Sequence, residues 1–224
     1  KEFLSLKKIS RQKKVVLYED LIFLHDNKIK SLKKIVDKKS FGKPMIFNSS
    51  RSNLGAFQYN TDVVSDLLTH DLSILFYLFN NHIIKSRCIL HKTINKLPHS
   101  IAYITMKFTK NLLVNISLSW HSPLKIREIS IVGKNNMVIY DGMKNDDSIK
   151  FLNKSFNYSS NSKFDYRIGN SISPNINNKN EPLIESIKKF KQLIIKKNIN
   201  NEYIKISEKI TVVKDKIRKT YVYF

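Results

Sequence analysis

Apolar positions follow a helical repeat up to about residue 80, an alternating repeat through the middle of the chain, and a helical repeat again after residue 181. In the first part, spacings of three and four residues predict amphipathic helices over 2–13 and 29–36 and a more apolar helix over 62–79. Short runs of β-branched and apolar residues predict strands at 15–18 and 45–48. This part is expected to alternate helices with strands.

The alternating repeat is clearest in two neighbouring segments, 101–108 and 112–120. In the first, every second residue is apolar: Ala102, Ile104, Met106 and Phe108. Further strands are predicted over 83–90, 126–132, 137–140 and 149–152, with a hairpin turn at Gly133-Lys134-Asn135-Asn136. Short connections between alternating strands predict a largely antiparallel sheet with one face on the core. The other face is polar and is available to a substrate or a second subunit.

Residues 153–180 are rich in Asn and Ser and have little periodicity, which predicts a long surface excursion with one irregular strand around 164–166. Asn180-Glu181-Pro182 is a helix-start signal with a capping Asn. The helix that follows has one apolar face, formed by Leu183, Ile187, Phe190 and Ile194. A final helix carries Ile206, Ile210, Val213 and Ile217. The predicted class is α+β: an open, mostly antiparallel sheet with helices packed on one face.

Charge raises the hypothesis of a nucleic-acid-binding protein. The 224 residues include 40 Lys and Arg against 18 Asp and Glu, for a net charge of +22. However, 34 of the 40 cations are Lys, whereas readers of base edges and phosphates favour the bidentate Arg fork. The Lys residues are also spread along the whole chain. We therefore favour compositional bias over nucleic-acid binding.

Several classes of site are missing from the sequence. The five glycines stand apart from one another, so there is no Gly-rich phosphate loop. No Cys and His residues have zinc spacing, so we expect no metal site. One cysteine, Cys88, excludes an internal disulfide and fits a reducing compartment such as the cytoplasm. No apolar run approaches the length of a membrane span, and no membrane partner is expected.

One pair of residues has the spacing of an acid–base site. Asp66 precedes His70 by four residues, which brings both side chains onto one face of a helix. The imidazole of His70 can move a proton to or from a sugar hydroxyl, and a carboxylate can orient it or raise its pKa. A purely structural role, with an Asp at a helix start and a hydrogen-bonded His, explains the same spacing. Arg51 and Asn53 are interpreted as turn residues, although both can hydrogen-bond a polyol or phosphate.

A longer pattern surrounds these four residues. Arg51-Ser52-Asn53-Leu54-Gly55 is followed by Asp66-Leu67-Leu68-Thr69-His70-Asp71-Leu72-Ser73-Ile74. This order resembles the Gfo/Idh/MocA family of NAD(P)-dependent sugar oxidoreductases, and within it the nucleotide-sugar 3-dehydrogenase branch. Supporting matches lie at Ser119-Trp120, Lys125-Ile126-Arg127, Ile131-Val132-Gly133, residues 137–141, and Glu181-Pro182-Leu183.

The resemblance implies two domains. Residues 1–20 look like the last helix and strand of a Rossmann domain for NAD or NADP. Residues 21–224 look like the carboxy-terminal α+β domain, which binds the sugar or nucleotide sugar and forms homo-oligomers through its open sheet face. By the same resemblance, His70 is catalytic in proton transfer with Asp66 beside it, and Arg51 and Asn53 are substrate-binding candidates.

The chain departs from the family pattern at its amino-terminal end. It lacks the glycine fingerprint, the Glu-Lys-Pro segment that carries the family's other catalytic group, and the Gly-His pair that usually follows the strand at 15–18. We therefore expect a fragment that neither binds NAD nor turns over by itself. The alternative is a noncatalytic sugar-binding or assembly module derived from such an enzyme.

Overall fold

The computed structural model describes residues 2–55, 60–158, 164–176 and 180–223, and these residues build an open nine-stranded sheet. The strand order is β8-β7-β6-β5-β1-β4-β3-β2-β9. The β1–β4 and β2–β9 pairs are parallel and the other six are antiparallel. The strands are β1 Pro44–Leu54, β2 Ile83–His91, β3 Ile101–Phe108, β4 Leu112–Ser119, β5 His121–Gly133, β6 Met137–Asp141, β7 Ile149–Tyr158, β8 Phe164–Ile172 and β9 Tyr221–Tyr223.

Five α-helices accompany the sheet: α1 Glu2–Lys13, α2 Asn27–Val36, α3 Val63–Leu78, α4 Pro182–Ile195 and α5 Glu202–Arg218. Short 3₁₀ helices lie at Ile22–His25, Lys39–Phe41 and Thr109–Asn111. Helix α3 packs on β3 and β4, and α5 packs on β2, so both lie on the same side of the sheet. The predicted α+β class and its open, mostly antiparallel sheet are confirmed.

The alternation predicted for the central strands is confirmed. In β3, Ala102, Ile104, Met106 and Phe108 are buried while the residues between them are exposed or partly so, and β4 follows the same pattern. The buried side chains pack beneath α3, whose Leu68 and Leu72 are fully buried. Because Asp62 accepts a hydrogen bond from the Ser65 amide at 2.6 Å, α3 begins one residue after its capping side chain. This cap sets the position of the next turns of α3.

Strand β1 is longer than predicted. Its register continues past Asn48 to Ser52, which lies opposite Ser119 of β4 and Ile126 of β5. Arg51 and Asn53 are therefore strand residues, and the interpretation as turn residues is wrong. A central strand has two neighbours that satisfy its backbone, so polar residues persist in it where an isolated segment would favour a turn.

The strand predicted at 15–18 is wrong. This segment has no regular secondary structure, and Val15 is exposed. Its backbone is bonded locally instead: the Val15 amide donates to the Ser10 carbonyl, and the Asn201 side chain donates to the Leu17 carbonyl. The β-branched composition predicted a strand. A strand must pair with a neighbouring strand, and residues 15–18 pair with none of the described strands.

The excursion predicted over 153–180 is also largely wrong. Strand β7 continues to Tyr158, and the whole of Phe164–Ile172 forms β8, which pairs with it in an antiparallel hairpin. Strand β8 is the edge of the sheet, and its Tyr166 and Ile168 are exposed. Because this strand buries little, the polar residues of the segment hide the alternation of apolar and polar residues that marks β3 and β4. Strand β9, three residues long, was not predicted. Within the described residues, no helix combines the length and apolarity needed to cross a membrane.

Helix α4 begins as predicted but is oriented differently. Asn180 does not cap it, since its side chain donates to the His25 carbonyl at 2.7 Å. The predicted apolar face points largely to solvent: Leu183, Ile187, Phe190 and Ile194 are all exposed. The buried residues of α4 are Leu193 and Ser186, and Ser186 hydrogen-bonds Tyr18. Helix α1 likewise exposes Leu4, Leu6 and Ile9.

Candidate active site

The four candidate residues lie at one place in the fold. Asp66 and His70 occupy the first two turns of α3, and Arg51 and Asn53 lie near the end of β1, beneath that part of the helix. Arg51 turns toward α3, since it is bonded to Asp71 of that helix. Asn53 lies within an irregularity of the β1–β5 register between Ser52 and Leu54. The tertiary structure thus brings together residues that are up to 19 positions apart.

Asp66 is held by a tryptophan rather than by His70. The Trp120 Nε1 donates to the Asp66 carboxylate at 3.0 Å, and the Trp120 ring is buried at the junction of β4 and β5. The structural reading of the Asp66–His70 spacing, in which the imidazole is hydrogen-bonded, does not hold within the described residues. Asp66 nevertheless lies one helical turn before His70 and acts on it through its charge.

The His70 side chain is half-buried, and its ring makes no hydrogen bond to any other described residue. It packs edge-on against the Phe23 ring, with centroids 5.2 Å apart. Burial lowers the pKa of His70 below its ordinary value, and Arg51 lowers the pKa further, against the opposing effects of Asp71 and Asp66. At neutral pH the imidazole is therefore uncharged and able to accept a proton.

Arg51 is part of a buried ion pair. Its Nε donates to Asp71 at 2.8 Å and its terminal nitrogen donates to the other carboxylate oxygen at 3.2 Å. The Ser49 hydroxyl donates to the same carboxylate at 2.7 Å. The two charged side chains are almost fully buried, with 6% and 1% of their surface exposed. Because Asp71 adjoins His70 in sequence, this pair anchors the catalytic candidate to β1.

Asn53 lies two residues beyond Arg51, where the chain approaches Trp120. A Cβ on Gly55 would come within 2.9 Å of the Trp120 ring and 3.4 Å of the Asn53 side chain. Gly55 therefore allows the end of β1 to pack directly on the tryptophan that holds Asp66. The Asn53 amide is partly exposed at this edge.

Three residues of the site were not identified as candidates from the sequence: Phe23, Asp71 and Arg127. Arg127 lies directly opposite Arg51 in the β1–β5 register. Both guanidinium groups lie over the Phe23 ring, at 4.7 Å for Arg51 and 5.7 Å for Arg127. The sequence does contain an indication of Arg127. It lies two and four residues before Ile129 and Ile131 in β5, so its side chain is expected on the same face of the strand as these core residues. A charged residue at a core-facing strand position is unusual and points to a site.

The arrangement has one clear chemical capacity. The imidazole of His70 is acted on by the guanidinium groups of Arg51 and Arg127 and by the carboxylates of Asp71 and Asp66. An O–H group placed at His70 would lose its proton to the ring within electrostatic reach of Arg127, which makes no ion pair with the described residues. Positive charge stabilises a developing alkoxide. Cavities elsewhere, such as the one of about 320 Å³ lined by His25, Tyr77 and Tyr203, do not include His70.

Comparisons with known proteins bear on the fold. No family model matches the sequence, and no curated protein matches it significantly. Among solved structures, KijD10, a 3-ketoreductase from Actinomadura kijaniata in complex with TDP-benzene and NADP, is similar over 99% of this chain and 67% of its own, with a TM-score of 0.75 and 10% identity. UDP-N-acetylglucosamine 3-dehydrogenase GnnA from Acidithiobacillus ferrooxidans is similar over 98% of this chain and 67% of its own, with a TM-score of 0.78 and 16% identity.

At these identities the similarity establishes the fold. Both structural neighbours are sugar oxidoreductases, and this chain spans about two thirds of each of them. Their shared architecture agrees with the α+β fold predicted from the sequence.

The buried ion pair makes a prediction about stability. Asp71→Asn is expected to lower the free energy of unfolding by about 3 kcal/mol, because it leaves the Arg51 charge buried without a counter-charge. Asp37→Asn removes one partner of an exposed pair with Lys33 and is expected to cost less than about 0.5 kcal/mol. Urea unfolding of both variants measures the difference. Equal losses would contradict the assignment of Asp71 as the anchor.

The surroundings of His70 make a prediction about its titration. The ring should titrate below the ordinary value of 6.5, because burial disfavours its charged form. Arg127→Met should raise the midpoint, since Arg127 also lowers the pKa of His70. Because the folded pKa is the lower one, His70 reduces stability as the pH falls below 6.5. The midpoint is read from imidazole NMR signals, with the urea-unfolded chain as the reference. A midpoint at or above the unfolded value would contradict this description.

Proposed function

We propose that this chain is the substrate-binding part of an NAD(P)-dependent oxidoreductase that oxidises a hydroxyl group of a sugar or nucleotide sugar. The observation that carries the proposal is the state of His70. Its imidazole is partly accessible and has no hydrogen-bond partner among the described residues, and burial lowers its pKa, in a fold shared with sugar oxidoreductases. A structural histidine in a half-buried position would be expected to have a partner.

The chain's contribution to the reaction is the movement of a proton. In the oxidation direction a ring nitrogen of His70 accepts the hydroxyl proton as the O–H bond breaks and the C=O bond forms. The hydride that leaves the carbon would be accepted by a bound oxidised nicotinamide, which is the chemistry that the cofactor would supply. In reduction the imidazolium returns the proton to the same oxygen. His70 is a suitable base because its lowered pKa keeps it unprotonated at neutral pH.

The other three candidates have distinct parts in this proposal. Asp66, held by Trp120, stabilises the positive charge that His70 acquires. Arg51 favours the developing negative charge on the substrate oxygen, while Asp71 keeps its guanidinium in place. Asn53 offers an amide donor and acceptor to the sugar at the exposed edge of the site.

This chain does not provide the usual cradle for a dinucleotide. Its five glycines are isolated in the sequence, so no backbone turn can approach a pyrophosphate as a Gly-rich loop does. We therefore assign NAD or NADP binding to a separate domain, with residues 1–20 as its final part and residues 21–224 as the substrate domain. The exposed apolar rows of α1 and α4 support this division, because such rows are usually covered by a neighbouring domain. By itself the chain would then be inactive.

The test uses the complete gene product that contains this chain. Reduction of NAD⁺ or NADP⁺ is measured with UDP- and TDP-linked sugars, and cofactor affinity is measured separately by fluorescence. His70→Ala should lower kcat at least about 100-fold while leaving cofactor affinity unchanged, because it removes only the proton acceptor. His82→Ala is the control, since His82 is an exposed imidazole at the start of β2.

Unchanged turnover in the His70→Ala protein would contradict the proposal. The gene upstream of Lys1 gives a second readout. If it encodes neither a Gly-rich strand–turn–helix nor a Glu-Lys-Pro segment, the noncatalytic sugar-binding or assembly module becomes the better assignment.

We also propose that two copies associate through the open sheet face. Side chains from neighbouring strands form a polar ladder across it: Thr105 bonds Asn115, Asn115 bonds Asn48, and Asn48 bonds Ser130. Exposed apolar groups flank this ladder, including Ile89, Tyr103 and Leu113. A face that combines ordered polar groups with exposed apolar side chains has the composition of a subunit interface.

Sedimentation at physiological salt tests the association. Tyr103→Glu should shift the chain from dimer or larger to monomer, because it places a charge in the centre of the proposed interface. Val212→Glu on α5 adds the same charge at another exposed site and should leave the assembly intact. A monomeric parent chain, or two variants that behave alike, would rule this interface out.

A further inference from the structure

Arg127 is a partly buried cation on β5. Its guanidinium makes no ion pair and no hydrogen bond with the described residues, although its backbone is firmly held. The Gly142 amide donates to the Arg127 carbonyl at 2.7 Å, and a Cβ at Gly142 would come within 3.1 Å of the Arg127 Cβ. The side chain is thus fixed at its base while its charged end remains unpaired.

Arg51 has a hydrogen-bonded carboxylate, and Arg127 has none among the described residues. The two arginines face each other across β1 and β5 and lie over the same Phe23 ring, but Asp71 is bonded only to Arg51. Burial lowers the pKa of Arg127, and the neighbouring Arg51 lowers the pKa further, against the opposing effects of Tyr140 and Asp71. Desolvating a cation beside another cation costs free energy unless an anion compensates it. The nearby Asp141 is engaged with Lys144 and belongs to the next strand.

We propose that Arg127 binds an oxyanion carried by the substrate, next to the hydroxyl that His70 deprotonates. This inference rests on the proposed function and adds an anionic substituent to the description of the sugar. Arginine suits this role because its planar fork donates two parallel hydrogen bonds to a phosphate or a carboxylate. The Arg127 cation also favours an oxyanion over a neutral hydroxyl at the same position.

The geometry places the oxyanion close to the reacting group. His70 and Arg127 both contact Phe23, at 5.2 Å between ring centroids and at 5.7 Å from the guanidinium carbon to the ring. The distance from the His70 ring centroid to the Arg127 guanidinium carbon therefore cannot exceed the sum of these two distances. One sugar ring with an attached phosphate or carboxylate spans that gap.

The experiment measures binding of defined anions to this chain by calorimetry at physiological salt. UDP and inorganic pyrophosphate represent a diphosphate substituent, glucuronate represents a carboxylate, and uridine and glucose are the neutral counterparts. We expect at least one anion class to bind where its neutral counterpart does not, and to shift the NMR signal of the His70 ring. The class that binds identifies the source of the oxyanion.

Variants distinguish anion binding at Arg127 from nonspecific electrostatic attraction of anions to a basic protein. Arg127→Met should weaken binding of that anion at least about tenfold, and Arg127→Lys should recover part of the loss by keeping the charge without the fork. Arg87→Met removes the same charge from an exposed position on β2 and should change binding less than about twofold. Equal losses in the Met variants, or no anion binding by the folded parent chain, would overturn the inference.

Failure of the proposed anion site at Arg127 can be distinguished from failure of the proposed function. His70→Ala should keep the anion affinity, because Arg127 provides the contact, while it abolishes turnover in the complete protein. If turnover depends on His70 but Arg127→Met binds anions normally, only the present inference falls. If His70→Ala turns over normally while Arg127→Met loses anion binding, the proposed proton transfer falls and the anion site stands.

Discussion

The buried ion pair between Arg51 and Asp71 is the interaction on which the rest of the site depends. It joins the central strand β1 to helix α3 at the residue next to His70. Because β1 pairs with β4 on one side and β5 on the other, the pair sets the position of α3 against the middle of the sheet. Its cost in desolvation is offset only by the paired geometry and by the Ser49 hydroxyl, so α3 has little freedom to slide along the sheet.

The ion pair between Arg51 and Asp71 also affects the charges around His70. The Asp71 carboxylate is hydrogen-bonded to Arg51 and Ser49 and makes no ion pair with Arg127, although its charge partly opposes the lowering of the Arg127 pKa. Burial is the largest cause that lowers the pKa of His70; Arg51 and Arg127 lower it further, and Asp71 and Asp66 oppose them. A neutral base, His70, and a cation with no ion pair among the described residues, Arg127, both contact the Phe23 ring. This combination suits a substrate that loses a proton at one end and carries a negative charge at the other.

Sequence reasoning succeeded where a local pattern had a local cause. The alternation in β3 and β4 and the helical spacing of α3 were predicted because one face of each element packs on the core. It failed where a partner decides the outcome. The β-branched run at 15–18 pairs with no strand in the part of the chain that the structure describes. The polar end of β1 is a strand because it has two neighbouring strands. The apolar face of α4 was recognised, but not that it is exposed.

The sequence by itself determined the α+β class, most element types, and His70 with Asp66 on one helical face, because these follow from periodicity along a single segment. Only the tertiary structure decided that Asp66 bonds Trp120, that Asp71 is the partner of Arg51, and that Arg127 faces Arg51. Each of these contacts joins segments far apart in the chain. Their geometry is set by strand register and helix docking, and neither is encoded in the spacing of residues within one element.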